Sequence, residues 1–178
     1  MPAIFLHSSF AYVINKLNPK LCLPALLVGS MIPDIEVIIL YYLTNGSIDR
    51  LIFHSIIGSI TIGTIVSIGV VVLIYPSIVS YLFKIDKNYI KNKCKFSKTL
   101  IGLCLIGNLS HVLIDATHHK YNPLLYPISN TSIDFLRISS NRVFDTLIIA
   151  GALSIIFLVF LFFSLRDKKN FWKKMLVG

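Results

Sequence analysis

Residues 56–83 read IIGSITIGTIVSIGVVVLIYPSIVSYLF, without a single charged side chain. A helix rises 1.5 Å per residue and a bilayer's hydrocarbon core is about 30 Å thick, so about 20 apolar residues cross it. Residues 56–83 exceed that length. Thr146–Leu165 is a second uncharged stretch, and Thr99–Thr117 is a third that stays apolar until it meets His111 and Asp115. All three are predicted membrane spans. The whole chain agrees: of its 178 residues 55% are hydrophobic and 14% charged, with a mean hydropathy of +0.77. Soluble domains carry about 25% charged residues, so a soluble class is excluded. The length suits one membrane-embedded helical domain, residues 1–178.

The N-terminal third has a different pattern. Ala3–Leu17 and Leu21–Met31 are apolar, but each is too short for a full crossing. Lys16, Pro19 and Lys20 part them, which predicts a helical hairpin that dips into the membrane or packs on the bundle. A short helix over Asp34–Leu43 follows, ended by Asn45-Gly46. The opening MPAIFLHSSF has no basic stretch ahead of its apolar run and no small-residue cleavage site behind it, so it reads as retained structure. The expected fold is an all-α integral membrane helical bundle: three long spans plus a short N-terminal helical hairpin.

Charge sets the orientation. The net charge of +9 is gathered in blocks outside the apolar segments: Lys16 and Lys20, then Lys84 through Lys98, then Arg166 through Lys174. Basic loops stay on the cytoplasmic side, which predicts a multi-pass cell-membrane protein with all three blocks cytoplasmic. Lysines in such blocks speak for membrane lipids as surroundings and against nucleic acid as a partner. Cys22, Cys94 and Cys104 are an odd set without close spacing, and read as buried thiols. Ser55, Ser59, Gly63 and Ser67 form a stripe of small residues at helical spacing, which lets helices approach closely in lipid.

Tracing the chain from that orientation brings His7, Asp34, His54, His111, Asp115, His118 and His119 to one end, the extracytoplasmic one. Ionisable groups near bilayer depth are costly and mark function. Neutral imidazole with carboxylate is the ligand set of Zn²⁺ and similar divalent ions. His111 and Asp115, four residues apart, share a helix face. Each residue also has a plainer reading. His111 suits a core histidine bonded to Asp115, and Asp34 suits a helix N-cap after Pro33. His7 and His54 suit polar residues at the interface, and one of His118 and His119 suits the surface. Asp145, Arg137, Arg142 and Lys120 read as interfacial or solvated charges.

Four segments carry a family resemblance: MPAIFLHSSF, LPALLVGSMIPDIE, FHSIIG and GNLSHVLIDATHHKYNPLLYPI. They resemble prokaryotic membrane-bound proteins classed as metal-dependent hydrolases, the best known being inner-membrane proteins under LexA control. The resemblance runs to about Ile128. More remotely, the order His, Asp, His, His-x-x-x-Asp is similar to the zinc-dependent phospholipase C and P1 nuclease group, where it builds a metal cluster in a helical bundle. That likeness implies that Asp34, His54, His111 and Asp115 hold one metal and that His7 shares Asp115 with a second. The group's later His…His-x-x-x-Glu set is missing: this chain offers only His118 or His119, and no glutamate after Glu36.

The expectation is therefore a mono- or dinuclear divalent metal site, with zinc the expected ion, held by His7, Asp34, His54, His111, Asp115 and His118. Asp34 and Asp115 are the candidate catalytic residues. The expected reaction is hydrolysis of a phosphoester, in a soluble or lipid substrate. The alternative is a non-catalytic, metal-stabilised membrane protein that acts as a partner-binding or sensing subunit. An open coordination position separates a catalytic metal from a structural one.

Overall fold

The computed structural model describes residues 4–178, with side chains from Leu6 onward. Met1–Ala3, which the sequence reading takes as retained structure, lie outside the described residues. The helices are α1 (Ile4–Leu17), α2 (Leu23–Leu43), α3 (Ile56–Phe83), α4 (Lys87–Lys93), α5 (Lys98–Ala116), α6 (Arg142–Leu165) and α7 (Phe171–Leu176). No strand occurs among the described residues. The chain is an all-helical bundle, as its hydropathy pattern requires.

One element differs from expectation. Four helices, α2, α3, α5 and α6, are long and apolar enough to cross a membrane, not three. The expected second hairpin arm and the short helix after it are one helix of 21 residues that runs straight through Pro33. Proline lacks the N–H that would reach the Gly29 carbonyl and crowds that turn, which in water ends or kinks a helix. Inside a packed apolar bundle, neighbouring helices and side chains can meet the freed backbone groups. α5 packs closely against this stretch. A Cβ on Gly29 would stand 2.6 Å from the Cys104 carbonyl oxygen, and one on Gly107 2.7 Å from that of Leu26. The two backbones touch, and α2 is held as one rod.

α3 is continuous but underwound in two places, with π-helical turns at Ser59–Gly63 and Val70–Ile74. The second lies just before Pro76, whose missing N–H and ring disturb the preceding turn. The small-residue stripe packs as expected: Ser55, Ser59 and Ser67 are fully buried. Asn108 of α5 donates from Nδ2 to Ser67 Oγ at 2.9 Å and to the Cys104 carbonyl at 2.9 Å.

α6 faces outward. Only Asp145, Leu153 and Ser164 of its residues are buried, while Leu147, Ile155, Leu158 and Phe162 are bare. An apolar helix with that exposure needs lipid as its solvent. α6 is tied to α1 by Ser9 Oγ, which donates to the Leu153 carbonyl at 2.9 Å, and by Tyr12 stacked on Phe160 with centroids 4.1 Å apart. At the basic end the chain returns to the core. Tyr12 and Tyr75 donate their hydroxyls to the carbonyls of Met175 and Leu176, and Val177 is fully buried beside Leu23 and Ile90.

Candidate metal centre

The far end of the bundle collects the ionisable residues. α1 contributes His7, α2 contributes Asp34 and Glu36, the loop before α3 gives Arg50 and His54, and α5 with the turn after it supplies His111, Asp115, His118 and His119. Every residue predicted for the site is in this cluster. His7, Asp34, His54, His111, Asp115 and His118 are each at most 5% exposed.

Asp115 is the hub. Its Oδ1 lies 3.3 Å from His7 Nε2, 3.5 Å from His119 Nε2 and 4.0 Å from His118 Nε2. Its Oδ2 lies 3.6 Å from His54 Nε2 and 3.6 Å from His111 Nε2. Asp34 Oδ1 stands 3.8 Å from His111 Nε2. These separations are long for hydrogen bonds between ionised partners, which close to about 2.7–2.9 Å. Four of the six match the spacing of two ligand atoms on one ion: two donors, each about 2.0–2.2 Å from a tetrahedral metal, stand about 3.3–3.6 Å apart, and the His118–Asp115 and His111–Asp34 separations are slightly longer.

The imidazole orientations support the same use. His54 Nδ1 lies 3.0 Å from Glu36 Oε2, His111 Nδ1 2.7 Å from the Ser30 carbonyl and His118 Nδ1 3.0 Å from the Ile114 carbonyl. A carbonyl or carboxylate only accepts, so in each ring Nδ1 carries the proton and Nε2 presents a lone pair. All three Nε2 atoms are buried without a hydrogen-bond partner, as are His7 Nδ1, Asp34 Oδ2 and Asp115 Oδ1. Buried polar atoms are almost always satisfied; here the unsatisfied Nε2 atoms of His54, His111 and His118 gather around the Asp115 carboxylate, whose Oδ1 is itself unsatisfied. The set fits a divalent cation. Three overlapping triads could hold one: His7, His111 and Asp115; Asp34, His54 and His111; and Asp115, His118 and His119.

Neutral rings are favoured where the loops meet the site. Burial holds His54 and His118 below the usual imidazole range, and pushes His119 down to about 3 against the opposing pull of Asp115. Neutral imidazole is the form that binds metal.

Two residues of the cluster were not anticipated. Glu36 accepts from His54 Nδ1 and, at 3.0 Å each, from the backbone N–H groups of Leu51 and Phe53. It thereby fixes both the imidazole and the loop that carries it. A glutamate standing alone in IPDIEVII was the available signal. Arg50 is 4% exposed; its Nε lies 3.4 Å from Asp115 Oδ2, its Nη1 2.8 Å from Asp49 Oδ2 and its Nη2 3.1 Å from His119 Nε2. In a polar loop beside Asp49 it looks like an ordinary solvated charge.

Two plainer readings are corrected. Asp34 cannot be an N-cap, because α2 begins eleven residues earlier, at Leu23. Asp145 is not solvated: it is fully buried, with Arg137 Nε 3.5 Å from its Oδ2. Lys120 is exposed, as read, and the cation facing the cluster is Arg50.

A family model described as YdjM inner membrane protein matches residues 3–175. The chain belongs to the YdjM inner membrane protein family. Membership agrees with the four apolar helices and makes this a membrane protein. The family description names no reaction, metal or substrate. No curated protein and no solved structure gives a significant match.

Proposed function

We propose that this protein is a membrane-embedded, metal-dependent hydrolase of phosphoesters, with a mono- or dinuclear divalent site whose expected ion is zinc. The observation that carries the reading is the convergence of buried ligand-type side chains from four parts of the chain into three overlapping triads, with several of their polar atoms unsatisfied. Asp34, His54, His111 and Asp115 would hold one ion, and His7 and His118 would complete a second position through Asp115. His118 is preferred to His119 because its Nε2 is unpaired, whereas that of His119 faces an Arg50 N–H.

Such an ion supplies a Lewis acid that acidifies water near neutral pH and polarises phosphoryl oxygens. The chain's own residues would do the rest. Asp34, whose Oδ2 is buried and unsatisfied, would accept a proton from an attacking water. Arg50 offers a cation beside Asp115, which suits an anionic substrate, since guanidinium pairs with phosphate. Membrane burial of the bundle favours an amphiphilic phosphoester that approaches from lipid. On the charge rule the site faces the extracytoplasmic side, opposite the basic loops.

One observation favours the second reading, a closed structural metal that pins the hairpin to its spans. Of the histidines, only His119 is appreciably open, with a side chain 14% exposed. Metal analysis of detergent-purified protein, with a screen of phosphodiester and lipid substrates, separates the two. Metal-dependent turnover supports the hydrolase. Metal-loaded, folded protein that cleaves none of these substrates supports the structural reading, and metal-free protein that resists loading defeats both.

A further inference from the structure

At the opposite end of the bundle from the histidines, the chain forms a cleft of about 370 Å³ between the end of α3, the start of α4 and the C-terminal segment. Its lining includes Phe83, Lys84, Tyr89, Lys169, Trp172 and Lys173. Lys173 Nζ sits 4.0 Å over the Tyr89 ring, and Phe83 packs against Trp172 with centroids 4.6 Å apart. The one acid in the lining, Asp86, is turned to cap α4, accepting from Tyr89 N at 2.7 Å. Among the described residues neither Lys84 nor Lys169 pairs with a carboxylate, whereas Lys174, outside the cleft, is neutralised by Asp167 at 2.9 Å. The lining therefore keeps two positive charges in excess.

Depth gives this charge its meaning. α3 ends at Phe83 and α6 at Leu165, so the cleft lies where two predicted spans leave the hydrocarbon. That is the level of lipid phosphates, where tryptophan and tyrosine gather and lysines are drawn to anionic lipid. We propose that this cleft binds the phosphate of an anionic phospholipid headgroup, with Lys84, Lys169 and Lys173 on the phosphate and with Phe83 and Trp172 against the glycerol and upper acyl carbons. The site is separate from the metal centre and independent of the reaction proposed there. It also requires no particular sidedness.

Trp172 is the only tryptophan in the chain, so its emission reports on the cleft directly. The full-length protein in neutral detergent is titrated with short-chain phosphatidylglycerol, short-chain phosphatidylcholine or inorganic phosphate. Phosphatidylglycerol is expected to give a saturable change at least fivefold tighter than phosphatidylcholine. Lys169→Gln with Lys173→Gln should abolish that preference, while Lys91→Gln with Lys95→Gln, which removes the same charge from exposed positions outside the cleft, should keep it. Equal responses to the two lipids would overturn the proposal. So would loss of the preference in the Lys91 and Lys95 control, because general surface charge would then account for the effect. A change produced equally well by inorganic phosphate would overturn the lipid assignment in favour of a free anion.

Discussion

His54 Nδ1 lies 3.0 Å from Oε2 of Glu36, the only glutamate in the chain. This contact joins α2 to the loop before α3 and turns the free Nε2 toward Asp115. A carboxylate behind a histidine fixes its tautomer and strengthens it as a ligand, and losing such a partner typically costs 10–100-fold in metal affinity. Glu36→Gln is expected to weaken metal binding by about that factor, measured by chelator competition on purified protein. Unchanged affinity in a folded variant would show that His54 does not ligate.

Removal of the hub should be more severe. His111→Ala with Asp115→Ala deletes a donor from every triad and should leave purified protein with almost no bound divalent metal by elemental analysis. Full occupancy in that double variant would falsify the metal centre altogether.

The close crossing of α2 and α5 makes a prediction about stability. Ala at Gly29 or Gly107 puts a methyl group within 2.7 Å of a backbone carbonyl that cannot rotate away. Overpacking of this kind costs about 1–3 kcal/mol, and should lower the Tm in detergent. Ala at Gly102 or Gly151, where a Cβ meets nothing within 4 Å, should be neutral or slightly stabilising. If all four variants melt alike, the two helices do not pack as described.

Much of this fold was legible because hydropathy over a window of about 20 residues is a strong signal. The bounds of α3, α5 and α6 follow from it almost directly. α2 was harder to read, because Pro33 and Asp34 look like a stop followed by a cap. It is nevertheless a single helix packed closely on α5 at Gly29 and Gly107, a tertiary contact that local sequence does not encode. The candidate ligands were legible through their rarity: five histidines and few acids in an apolar chain had little reason to be there otherwise. Arg50 and Asp145 were not legible. Each is a charge of ordinary appearance, and its burial depends on loops that fold back over the bundle end.

Topology is open to a direct check. The charge rule places Lys84–Lys98 and the C-terminus on the cytoplasmic side, with residues 122–140 outside. In a background lacking Cys22, Cys94 and Cys104, Ser140→Cys should react with an impermeant thiol reagent in intact cells, and Lys95→Cys only after permeabilisation. The reverse pattern would move the metal centre to the cytoplasmic face and change the pool of substrates it could meet.

Asp34 and Arg50 separate catalysis from mere metal retention. Asp34→Asn nearly keeps the shape but removes a charge and a proton acceptor, so turnover of an accepted phosphoester should fall by about 10²–10⁴-fold, the range for a lost acid–base group. Arg50→Met acts differently. It takes a cation away from Asp115, 3.4 Å distant, so metal affinity should hold or tighten, because a positive neighbour opposes a bound cation. KM for an anionic substrate should nevertheless rise, since the guanidinium that would attract it is gone. A purely structural metal predicts no such split: both variants would change Tm or metal content and leave no activity to measure. Wild-type rates in Asp34→Asn, or an Arg50→Met variant that loses its metal while it stays folded, would contradict the roles assigned to these two residues.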